Sequence, residues 1–83
     1  MDFKEWLSKF VEEKQLDIEH EFYVEHKGNV HFIELSVVIM MCKKTSIEQQ
    51  ELIKKTLVKL DFYNANVMHY FEHLAKCYVQ NNF

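Results

Sequence analysis

The run Glu19-His20-Glu21-Phe22-Tyr23-Val24-Glu25-His26-Lys27-Gly28-Asn29-Val30-His31-Phe32-Ile33-Glu34-Leu35 sets two segments rich in β-branched and aromatic residues on either side of the one glycine in an 83-residue chain. That pattern predicts an antiparallel hairpin with strands over residues 19–25 and 29–35. Side chains alternate between faces, so the loop length fixes which residues share a face. A two-residue loop of Lys27 and Gly28 pairs Phe22 with Ile33 and Val24 with His31, which mixes a histidine into the apolar side. A three-residue loop of His26, Lys27 and Gly28, with Gly28 left-handed, pairs Phe22 with Phe32 and Val24 with Val30 and gives a uniformly hydrophobic face. The three-residue loop is therefore the expectation. It leaves Tyr23, His31 and Ile33 on the other face beside Glu21 and Glu25, an amphipathic surface that is either covered by a partner or simply solvated.

A lone hairpin is marginal in water, so flanking segments must complete it. Residues 2–14 set Phe3, Trp6, Leu7, Phe10 and Val11 at helical spacing, with Lys4, Glu5, Lys9, Glu12 and Glu13 on the opposite side. Asp2 is placed to cap this helix, and Glu5 follows three residues later as in a capping box. Residues 36–44 are apolar nearly all round, and Ser36 as a cap with two lysines at the end predicts a short helix. At least one of Met40 and Met41 is then left for solvent or a partner. Thr45 and Ser46 open a third helix with Glu48 or Gln49 completing a capping box; Leu52, Ile53, Thr56, Leu57 and Leu60 form its inward stripe, and Lys54, Lys55 and Lys59 face water. After a turn in residues 61–66, with Asn64 as the expected cap, a last helix to about Gln80 buries Val67, Phe71, Leu74, Ala75 and Tyr78, flanked by Tyr70 and Cys77. The predicted architecture is one α+β domain over residues 1–83, ordered helix, strand, strand, helix, helix, helix, with the outer helices covering one face of the hairpin.

Composition agrees with a folded chain: hydrophobic residues make up 48% and charged residues 28%, a mixture that can bury a core. Barrels and dinucleotide-binding folds are excluded by length, since they need upwards of roughly 200 residues. A chain this short leans on aromatics or self-association for stability, and pairing of exposed strand edges in a homodimer is one such solution. The net charge is −3, and all ten basic residues are lysines. Without arginine the chain lacks the rigid fork that reads guanine edges. The acids concentrate in residues 1–34, which carry −5, whereas residues 35–83 carry +2. Cys42 and Cys77 sit among apolar neighbours, and the chain opens on an acidic amphipathic segment rather than on a secretory leader. Reduced thiols and a cytoplasmic location are expected. The longest apolar run, residues 37–42, is far below the roughly 18 residues of a membrane span.

The sharpest chemical motif is His69-Tyr70-Phe71-Glu72-His73, which matches the His-x-x-Glu-His pattern of inverted zinc peptidases. Histidines one helical turn apart can aim at one metal while the glutamate activates water. Those enzymes take a further acidic ligand from later in the chain, and no Asp or Glu follows Glu72. The same residues, with Lys76, read as the polar face of an amphipathic helix, so His69, Glu72 and His73 are only a weak metal candidate. His20, His26 and His31 have no structural-site spacing with either cysteine. A phosphate-cradling loop needs more than one glycine. No cofactor, no metal and no enzyme activity are expected. As an alternative, the third and fourth helices could imitate a helix-turn-helix, with Lys43, Lys44, Lys54, Lys55 and Lys59 as a basic patch. The helix that would enter the groove, however, offers Lys76 as its sole fixed cation, too little for phosphate contacts.

The stretch Leu57-Val58-Lys59-Leu60-Asp61-Phe62-Tyr63-Asn64-Ala65-Asn66-Val67-Met68-His69-Tyr70-Phe71-Glu72-His73-Leu74-Ala75-Lys76, with residues 29–39, resembles small uncharacterised proteins of low-GC Gram-positive bacteria and their prophages. Those proteins tend to carry glycine where Ala65 stands. The resemblance implies no activity; it implies a phage or mobile-element accessory protein, a class that commonly acts by binding a host factor such as a defence system. The expected function is a non-catalytic interaction protein that inhibits or regulates a host or phage protein. Its expected contact residues are Tyr23, His31, Ile33, Met40 and Met41.

Overall fold

The computed structural model of the protein describes residues 1–81, which form four helices and one hairpin in the order α-β-β-α-α-α. Helix α1, Phe3–Glu13, begins where the Asp2 carboxylate accepts a hydrogen bond from the Glu5 amide at 2.9 Å, the expected N-cap. It ends in a Schellman turn: the Leu16 amide donates to the Val11 carbonyl and the Gln15 amide to that of Glu12. Gln15 takes the left-handed position, with φ of 54°.

Strands β1, Glu21–His26, and β2, Asn29–Glu34, pair antiparallel with Phe22 opposite Ile33, Tyr23 opposite Phe32 and Val24 opposite His31. The loop is thus Lys27-Gly28, not the expected three residues. Both loop residues have positive φ, 51° at Lys27 and 79° at Gly28, which marks a type I′ turn. The twist of that turn matches the right-handed twist of the strands, and this outweighs a lysine in a left-handed conformation. The inner face also tolerates the histidine, because only Phe22 and Val24 are deep in the core while His31 and Ile33 lie half-buried at its margin. A Cβ added at Gly28 would meet no atom within 4 Å, so Gly28→Ala is opposed by backbone strain alone. Chemical denaturation should show it costing about 1–2 kcal/mol; an unchanged midpoint would contradict the turn.

Two further hydrogen bonds extend the hairpin, from the Leu35 amide to the His20 carbonyl and from the Ser36 amide to that of Ile18. Helix α2, Leu35–Lys43, follows without a linker. Ser36 lies inside it rather than capping it, and its hydroxyl donates to Glu34, the N-cap residue, at 3.2 Å. The earlier start puts Leu35, Val38, Ile39 and Cys42 on one buried face at helical spacing. In helix α3, Ile47–Lys59, the Ser46 hydroxyl caps the Gln49 amide as expected. Its buried stripe centres on Ile53 and Leu57. Leu52, expected inward, is 55% exposed, because it lies roughly 100° around the helix from Ile53. Helix α4, Asn64–Val79, starts one residue before expectation. Tyr63 is the cap residue, and the Asn64 side chain instead donates to the Lys14 carbonyl at 3.1 Å.

All four helices and β1 supply the core, with Leu7, Val24, Leu35, Val38, Ile53, Leu57, Val67 and Phe71 among its fully enclosed side chains. Helix α4 packs against α2 and β1, and α2 also touches β2. The sheet is therefore covered on one face only.

Candidate functional site: the outer face of the hairpin

The pairing register places Glu21, Tyr23 and Glu25 of β1 beside Glu34, Phe32 and Val30 of β2 on the outer face, and all six are exposed. Tyr23 is 55%, Phe32 64% and Val30 45% exposed. The two rings sit directly across the strands, edge to face, with centroids 5.8 Å apart and planes at 76°. That contact orients both rings on a hydrogen-bonded scaffold. Three carboxylates surround this apolar centre. Glu21 stands directly opposite Glu34, a like-charge pairing that opposes sheet formation. Among the described residues no lysine comes within ion-pair distance of Glu21, Glu25 or Glu34.

The five contact residues expected from sequence do not form one surface. Tyr23 is on the outer face. His31 and Ile33 are on the inner face, where they border a shallow hollow of about 300 Å³ with Tyr78, Val79 and Asn81. Met40 is 47% exposed on α2, while Met41 is half-buried. The separation of Tyr23 from His31 and Ile33 follows directly from the two-residue loop. Val30 and Phe32 were assigned to the core by the three-residue register; the Lys27-Gly28 pair, readable as a type I′ turn, is the signal that would have placed them outside. Phe62 and Tyr63, in the turn before α4, are exposed, at 87% and 68%. Lys14 pins this turn by an ion pair to Asp61.

The lysines are only partly available. The Lys43 ammonium donates to the Ser8 hydroxyl at 2.8 Å, and that of Lys54 lies 5.5 Å from the centre of the Trp6 ring, a cation–π contact. Lys44, Lys55 and Lys59 are exposed. On α4, Glu72 lies between His69, at 3.9 Å, and Lys76, at 3.7 Å. His73 turns instead to the Cys77 sulfur, 3.7 Å away, and stacks on Tyr70. Among the described residues no group of three or more His, Cys, Asp or Glu side chains is placed to hold a metal ion. A depression of about 490 Å³ runs between α1 and α2 over Val11, Leu16, Ile18 and Ile39 and is open to solvent. Burial pushes the Cys42 thiol up to about 12, so it stays protonated and unreactive. Burial likewise raises Tyr70.

No helix among the described residues is long and apolar enough to cross a membrane. Comparison of the chain with protein-family models, with curated proteins and with solved structures finds no match.

Proposed function

We propose that this chain is a non-catalytic interaction protein that docks on a protein partner through Tyr23, Val30 and Phe32. The observation that carries the reading is the oriented Tyr23–Phe32 pair on a sheet face that no other element among the described residues covers. Aromatic side chains held rigid in an exposed apolar patch are the usual energetic centres of protein interfaces. The resemblance to prophage-encoded proteins directs the partner search to host factors of low-GC Gram-positive bacteria, defence systems included, with inhibition or regulation as the consequence of docking. The nucleic-acid reading draws less support, because Lys43 and Lys54 are already engaged with α1.

Isotope-labelled protein in a low-GC Gram-positive lysate tests the reading. The amide resonances of Tyr23, Val30 and Phe32 should broaden ahead of those of α3, and should stay sharp in the Tyr23→Ser/Phe32→Ser double variant. Loss of the cross-strand pair should lower stability by about 1–2 kcal/mol, so a melting curve verifies that the variant is folded. Equal broadening in both proteins would remove this face from consideration.

A further inference from the structure

We infer that the occupant of the outer hairpin face is a cationic protein segment, one that sets an apolar side chain between lysine or arginine residues. The inference rests on the docking reading above and adds the chemistry of the partner. Glu21, Glu25 and Glu34 share the face with Tyr23, Val30 and Phe32, and among the described residues no lysine of this chain neutralises them. Glu21 and Glu34 stand directly opposed, a repulsion that an incoming ammonium or guanidinium group would relieve. The exposed Tyr23 and Phe32 rings also offer electron-rich surface to such a cation.

Charge excludes the other occupants. A second copy placed face to face about a two-fold axis would bring the three glutamates of each protomer together around one apolar centre, and like-charge juxtaposition of that kind rejects a partner. Nucleic acid and anionic lipid headgroups carry the same sign as the rim. The face itself sets three carboxylates around its apolar centre, and a field of this sign steers a basic surface toward it during diffusion.

Two end-capped synthetic peptides serve as probes: alternating Lys-Val-Lys-Phe-Lys-Val-Lys and its counterpart with glutamate at every lysine. The basic peptide should move the amide resonances of β1 and β2 in the intact protein. Its affinity should fall about tenfold or more between low and high salt, and by a similar factor in the Glu21→Gln/Glu25→Gln/Glu34→Gln variant, while the acidic peptide binds at least tenfold more weakly. Salt-independent binding, equal affinity for both peptides, unchanged affinity in the glutamine variant, or no response to the basic peptide overturns the inference. Concentration-dependent shifts of Tyr23 and Phe32 without peptide would make a second copy the occupant and overturn it too. If the acidic peptide binds and Tyr23→Ser/Phe32→Ser abolishes that binding, the docking face stands and the charge inference falls. If that double variant leaves the basic peptide's affinity intact, both fall.

Discussion

Phe71→Ala is expected to lower stability by about 3–5 kcal/mol, the range for deleting a buried aromatic side chain. Phe71 is fully buried on α4, the helix that packs against both β1 and α2. Removing its ring loses the transfer free energy of the side chain and leaves a void that three elements must collapse to fill. A domain of 83 residues has a total stability of roughly 4–12 kcal/mol by the usual per-residue scale, so the variant loses between about a quarter of that stability and all of it. Urea denaturation followed by circular dichroism measures the loss, with Phe71→Leu as the milder comparison. The matching change at the surface, Phe32→Ala, should cost far less, about 1 kcal/mol, the scale of its cross-strand pair with Tyr23. A loss under about 1 kcal/mol for Phe71→Ala would mean that α4 is not the element on which the core closes.

Alkaline pH should weaken the fold through Cys42. Its thiol is fully buried on α2, and burial raises it from 9.0 to about 12, with a backbone hydrogen bond opposing the rise slightly. In the unfolded chain the same thiol ionises near its ordinary value, so above about pH 9 the unfolded form gives up a proton that the native form keeps. The contribution is intact below pH 9 and is lost at roughly 1 kcal/mol per pH unit as the pH climbs toward the native value. Denaturation of the wild type and of Cys42→Ala near pH 8 and near pH 10 tests the effect by difference, since Cys42 is the one group the variant lacks. The wild type should lose more stability over this interval than the variant. Parallel losses would show that Cys42 ionises in the native state without penalty.

The parts of this fold that were legible in the sequence depend on neighbours within one helical turn. Asp2 and Ser46 cap α1 and α3 as their spacing to Glu5 and Gln49 indicates, because a cap needs only a side-chain oxygen and an amide three residues on. The buried stripes Leu7–Phe10–Val11 and Val67–Phe71–Leu74 likewise repeat at the helical period. Ser36 and Asn64 have equally good capping chemistry, yet both lie inside their helices. In each case a contact outside the helix prevails: Leu35 must enter the core, and Asn64 bonds to Lys14, fifty positions away.

The make-up of the outer face was legible only in part. Tyr23 lies there as expected, whereas Phe32 and Val30 replace the expected His31 and Ile33, because turn geometry and not the purity of one hydrophobic face governs the pairing. Lys54 reads as a solvated charge on α3 until Trp6 of α1 is placed under it.

Element order and helical character thus follow from the linear pattern, because capping, helical periodicity and the glycine turn act over a few residues. Which side of the hairpin turns inward depends on where α4 packs on β1 and α2 on β2, and which lysines remain free depends on how α1 meets α2 and α3. Alternation divides a strand into two sets of side chains, but only helices brought in from distant parts of the chain select the set that loses contact with water.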